Sequence, residues 1–138
     1  MSRVTKVSMA DAPVSTRLGG TIRPMLTPNS VGACAGFLGT MSLRQGEFVA
    51  AHYHPYSDEF LFVAEGTVVV TVNGEEHRLD RADAIMVPRG HAHRVENQGP
   101  EPALVVFQIA PLAPSPEVGH VEVEPAPHPD AAPPSVGG

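Results

Sequence analysis

From Thr21 to Ala110 the apolar residues recur at every second position rather than every 3.6, and no stretch carries a long amphipathic helix. The alternation predicts strands at Gly32–Leu43, Phe48–His54, Glu59–Glu65, Thr67–Val72, Glu75–Leu79, Ala84–Val87, His91–Asn97 and Ala103–Ile109. Asn73-Gly74, between Val72 and Glu75, is the strongest short hairpin signal, because a type I′ turn needs positive φ at both central residues. Gly46, Gly66, Pro88, Gly90 and Gly99-Pro100 punctuate the remaining strands. Many short strands joined by tight turns indicate an all-β chain, a sandwich or a small barrel. The same parity points Phe48, Ala50, Leu61, Val63 and Val95 inward, with either Phe37 and Met41 or Leu38. Phe60 and Phe62 then leave by the outer face, where two exposed aromatics call for a cover; a homodimer is expected to supply it.

Composition changes after Ala110. Eight of the 15 prolines lie between Pro111 and Pro134. Proline fixes φ and removes a donor, so this segment is extended, without helix or central strand, and reads as a solvated tail, the alternative being a tail laid on its own core or on a neighbouring subunit. The chain therefore divides into an N-terminal arm (1–20), one domain (21–110) and a Pro-rich C-terminal extension (111–138). At 138 residues there is room for one core and little more. The formal charge of −6 supplies no basic stripe, so nucleic acid is not an expected partner. Apolar runs such as Leu104-Val105-Val106-Phe107 are too short to span a bilayer, and Met1 to Met9 lacks a signal-peptide core. Cys34 is the lone cysteine, which fits a reducing cytoplasm, and its small apolar neighbours read as a buried strand.

Two segments carry chemistry. The first, Gly46 to Gly66, reads GEFVAAHYHPYSDEFLFVAEG. His52 and His54 are two apart, so on a strand both imidazoles leave one face, roughly 6.5–7 Å apart along the chain, and can converge on one ion. Glu59 opens the next strand after a turn containing Pro55, and its carboxylate can return to that ion. The second segment, Pro88 to Asn97, reads PRGHAHRVEN. His93 lies where a turn feeds a strand, and His91 shares its facing if the strand is regular. By parity with Leu79, His77 faces the barrel as a packing residue. His120 and His128 sit in the Pro-rich extension without an assigned role.

These segments resemble the two motifs of the cupin superfamily. Gly46, His52-x-His54, Glu59 and Gly66 fill the first; Pro88-x-Gly90, His93 and Asn97 fill the second. Glycine is roughly 7% and proline roughly 5% of ordinary sequence, so agreement at nine positions is not chance. One departure is Ala82, where the second motif opens with glycine; it calls only for a less twisted turn. The resemblance implies a single-domain double-stranded β-helix, or jelly-roll barrel, with one divalent metal ion at its inner end. It places His52, His54, Glu59 and His93 on that ion; His91 makes a second His-x-His pair with His93 and is either a further ligand or a rim residue of the Pro88–Gly90 turn. Five protein ligands leave a six-coordinate ion one open position, so either Glu59 or His91 is expected to stand off as the catalytic acid or base. Imidazole and carboxylate suit Zn²⁺, Fe²⁺, Mn²⁺, Ni²⁺ or Cu²⁺, with Zn²⁺ first by resemblance.

The inward positions are small or apolar and hold no arginine cluster, which excludes a polyanionic ligand. The short length, the Gly-rich Val31–Gly39 stretch, the full metal motif and the Pro-rich tail are similar to small cupins of bacterial aromatic polyketide gene clusters, the resistomycin-type cyclases. That likeness implies a cytoplasmic metal-dependent cyclase. It would close rings in a poly-β-ketone chain, delivered on an acyl carrier protein, by aldol condensation and dehydration. A mononuclear dioxygenase acting on a phenolic small molecule needs the same ligands and cavity, and a non-catalytic metal-binding cupin is a third class.

Overall fold

Alternating burial along each strand assembles the domain. In β4 (Asp58–Glu65) Leu61 and Val63 are 2% and 0% exposed, while Phe60 and Phe62 on the other face are each 45% exposed. Complete burial of one such aliphatic side chain is worth about 1.5–3 kcal/mol. Strands β2 (Phe37–Leu43), β5 (Val68–Val72) and β9 (Ala103–Ala110) bury the same kind of face. In this computed structural model, which describes residues 4–136, those faces meet between two five-stranded antiparallel sheets. With β1 (Thr21–Leu26), β3 (Phe48–Tyr53), β6 (Glu75–Leu79), β7 (Ala84–Val87), β8 (His93–Glu96) and β10 (Val121–Glu122), one sheet runs β1-β2-β9-β4-β7 and the other β10-β3-β8-β5-β6. Asn73 and Gly74 turn β5 into β6 with φ of 49° and 84°, as the hairpin signal requires.

The two motif segments are clipped together. Asn97 is 0% exposed, and its Nδ2 donates to the carbonyls of Leu43 and Glu101. Its backbone exchanges hydrogen bonds with Gly46 and Glu47. Four bonds from one residue thus fix where β8 ends against the start of β3.

Several expectations change. β1 is a strand although Pro24 interrupts its pattern; as a sheet edge it tolerates a residue without an amide proton. The strand expected from Gly32 begins only at Phe37, because Pro28–Val31 forms a helical turn (α1) capped by Thr27 and ended by Gly32 at φ 68°. Cys34 is accordingly exposed, outside any strand. A register shift between Val49 and His52 in the β3–β8 pair buries both Val49 and Ala50 and reverses the parity before it. Phe48 therefore turns away from the core, under the Arg94 guanidinium 4.0 Å from its ring centroid.

The Pro-rich extension is not a solvated tail. Val121 and Glu122 pair with Tyr53 and His52 as β10, the Val123 amide donates to Ala51, and the Asn29 amide donates to Val136. Proline withholds amide protons, but the residues between the prolines supply them. Ala82, finally, does not relax its turn: it keeps the left-handed conformation at φ 72°. A Cβ there costs roughly 1–2 kcal/mol. Ala82→Gly is expected to stabilise the protein by about 1 kcal/mol in urea unfolding, after the entropy glycine adds to the unfolded chain. A destabilised variant would contradict the assignment of strain.

Candidate metal centre

Four side chains meet between the sheets. His52 and His93 are direct cross-strand partners in β3 and β8. His54 follows the end of β3, where its carbonyl accepts from the Gly90 amide in the second motif's turn. Glu59 comes from β4 in the opposite sheet. One potential ligand atom from each of these four lies within 4.8 Å of the other three, and all four residues are buried.

Each imidazole is anchored from behind. Nδ1 of His52 bonds the Ala50 carbonyl at 2.7 Å, Nδ1 of His54 the Gly119 carbonyl at 3.0 Å, and Nδ1 of His93 the His91 carbonyl at 3.0 Å. A carbonyl only accepts, so each Nδ1 carries a proton and each Nε2 faces the centre, where a ring without a second proton offers its lone pair and His93 with one donates to Glu59. There, His93 Nε2 lies 2.6 Å from Glu59 Oε1, and His54 Nε2 lies 3.3 Å from the same oxygen. The His54 nitrogen is buried and not aligned to hydrogen-bond. Three nitrogen acceptors and a carboxylate oxygen, backed by donors into carbonyls, are the donor set of a divalent cation, and the residues fit one.

Burial pushes the His52 imidazolium down to about 3, aided by the neighbouring His93 charge. Burial works to raise Glu59, yet His54 and His93 outweigh it and hold the carboxyl well below the usual range. His93 is raised despite its burial, through its hydrogen bond to Glu59.

The structure therefore brings together His52, His54, Glu59 and His93, but not His91. β8 begins at His93, so the regular strand that would align His91 with it does not exist, and the His91 side chain is exposed. Its backbone carbonyl, not its ring, serves the site. His77 sits half-exposed at a hairpin, 3.8 Å from Glu75. His120 was missed. Its ring centroid is 5.2 Å from that of His52 and 6.1 Å from that of His54. No motif spacing links it to them; only the folding back of the Pro-rich segment does.

His52, His54 and Glu59 open into a cavity of about 490 Å³. Its walls are apolar, with Leu18, Ile22, Phe37, Met41, Phe107 and Ile109 on the barrel side. Residues of the C-terminal segment, among them Leu112, Pro114 and Pro134, close the other side. Phe37 and Met41 thus face inward, whereas Leu38 lies on the outer face with Phe60 and Phe62.

Two antiparallel sheets with a three-histidine, one-glutamate cluster at the base of their cavity define a double-stranded β-helix with a metal-type centre. The chain belongs to the cupin family: residues 39–109 match the Cupin domain. It is 56% identical over 138 residues to the tetracenomycin polyketide synthase protein TcmJ of Streptomyces glaucescens, covering 100% of this chain and 93% of that protein. It is 42% identical over 118 residues to the polyketide synthase CurC of Streptomyces cyaneus, covering 86% of this chain and 77% of that one. The fold is shared with the polyketide cyclase RemF from Streptomyces resistomycificus, at a TM-score of 0.70 and 17% identity over 92% of this chain and 90% of that one. Among the described residues no helix is long and apolar enough to cross a membrane.

The pKa shifts set a pH dependence for the metal-free protein. His52 takes its proton far more readily unfolded, near 6.5, than folded, near 3, so stability is lost as pH falls through that window. Glu59, depressed in the fold, adds to the loss below about 4.5. His93, raised in the fold, contributes fully below 6.5 and loses that contribution as pH rises through its folded value. Urea unfolding of chelator-treated protein is expected to show maximal stability near pH 6.5; stability rising steadily up to pH 9 would contradict the His93–Glu59 pairing.

Proposed function

We propose that this chain is a metal-dependent cyclase that closes a ring in a poly-β-ketone chain by aldol condensation and loss of water. The observation that carries the reading is the position of the four-residue cluster at the base of a roomy, apolar, arginine-free cavity. The names of the relatives TcmJ and CurC, both polyketide synthase proteins, support the substrate class. A bound divalent ion, Zn²⁺ by family likeness, would supply Lewis acidity to a chain carbonyl. His52, His54, Glu59 and His93 would hold it.

The protein's own groups do the rest. A methylene between two carbonyls gives up a proton, its carbon bonds to a second carbonyl carbon, and the new hydroxyl leaves with a neighbouring hydrogen as water. Of the two residues nominated by sequence for the proton transfer, His91 lies outside the cavity and Glu59 inside. Held ionised at neutral pH, Glu59 would accept the proton on a carboxylate oxygen that does not meet the ion, while His93, whose Nε2 faces the ion, keeps its own proton on Nδ1. The apolar walls fold the chain so that the correct carbons meet and keep water from competing closures. The chain would reach the cavity on an acyl carrier protein in the cytoplasm. Phe60, Phe62 and Met86, at 45–47% exposed on the β4–β7 face, would be covered by a second copy.

The test is reconstitution with a carrier-bound poly-β-ketone, comparing chelator-stripped with Zn²⁺-restored protein by product chromatography. Metal restoration is expected to concentrate product into one cyclised compound, and His93→Ala to lower its yield by at least about tenfold. Dioxygen uptake matching substrate consumption would replace the cyclase reading with the dioxygenase one. Sedimentation as a monomer at micromolar concentration would remove the dimer.

A further inference from the structure

The C-terminal segment does more than cover the cavity. Gly119 lends its carbonyl to His54 Nδ1, and the next residue, His120, puts its ring into the cavity wall beside His52. His120 is not one of the four residues whose ligand atoms lie within 4.8 Å of one another, so it stands beside the cluster and outside it. Its Nε2 is buried without a hydrogen-bond partner, and the nearest carboxylate oxygen, Glu122 Oε2, is 4.0 Å away. A buried imidazole nitrogen without a partner is costly unless a ligand completes it.

Glu122 is itself held. Arg17 Nε donates to Oε2 at 2.9 Å and Nη2 to Oε1 at 3.1 Å, a two-pronged pairing, while Nη1 donates to the carbonyls of Pro129 and Ala131. Arg17 also accepts at its own carbonyl from the His128 amide. One guanidinium thus ties three parts of the segment to the N-terminal arm. Glu122 is fixed, and with its oxygens taken up by Arg17 it leaves the buried His120 Nε2, 4.0 Å away, to find its partner in the cavity.

The geometry points to His120 as a substrate-contacting residue, delivered to the cavity by the Pro-rich segment, with Arg17 as the positioning residue that holds it there through Glu122. The inference rests on the reading of the cavity as one for polyoxygenated, ring-forming molecules. His120 hydrogen-bonds an oxygen of such a molecule one step away from the oxygen that meets the ion. It thereby selects how the chain lies along the cavity.

The test uses the full-length, Zn²⁺-loaded protein and alizarin, a hydroxyanthraquinone with adjacent oxygens, as an absorbance probe. Zinc content is measured in the same samples. His120→Phe and Arg17→Ala are expected to keep one zinc per chain and to bind alizarin about fivefold to tenfold more weakly. His120→Gln, which restores a hydrogen-bonding nitrogen, is expected to stay within about twofold of the parent. Loss of zinc from His120→Phe would make His120 a ligand and overturn the inference. Unchanged alizarin affinity in His120→Phe would also overturn it, while leaving the cavity reading intact. Failure of the parent protein to bind alizarin would overturn both.

Discussion

Burying polar nitrogen and oxygen between two apolar sheets is unfavourable unless every donor and acceptor finds a partner, and this constraint organises the molecule. Each of three histidines satisfies its outer nitrogen on a backbone carbonyl, which leaves the inner nitrogens with nothing to bond but Glu59 and one another. Glu59 arrives from the facing sheet, so the cluster forms only when the sandwich closes. In the metal-free protein a proton shared by His93 and Glu59 relieves part of the mismatch; His54 Nε2 is left without relief. A divalent cation would relieve all of it. The cluster is thus a place where the fold tolerates an arrangement that is unfavourable without a cation.

Position follows from a few backbone devices. The register shift in β3 lets Val49 pack in the core while His52 still points into the cavity, opposite His93. Gly90 ties the second motif to His54, and Asn97 ties it to the start of the first. The C-terminal segment supplies one of the three carbonyl-to-histidine bonds, from Gly119 to His54, and closes the open side of the barrel. Without that segment the apolar walls would face water.

The strand set from Phe48 to Ile109 was legible because half-buried strands alternate and their turns carry Gly, Pro and Asn-Gly. His52, His54, Glu59 and His93 were legible because two-residue spacing on a strand and the motif spacings are local. What failed was non-local or irregular. A bulge has no sequence mark here, so alternation alone puts Phe48 on the wrong face. Alternation aligns His91 with His93, but the strand starts two residues later, at His93. Ala82 holds a positive φ that its side chain does not advertise, and α1 is a single turn, too short to show a 3.6-residue period. The Pro-rich segment was read from its prolines, whereas its docking is written in Arg17, Glu122 and the amides between the prolines. His120 follows from that docking and from nothing closer in sequence.

The convergence of three imidazoles and one carboxylate on a single ion is tested most directly by X-ray absorption spectroscopy of the protein purified without added metal and then loaded with one equivalent of Zn²⁺. The account predicts only nitrogen and oxygen neighbours at about 2.0–2.2 Å, with the multiple-scattering signature of three histidines. A sulfur neighbour at about 2.3 Å, which among these residues points to the exposed Cys34, would contradict it. So would a signal lacking imidazole scattering altogether.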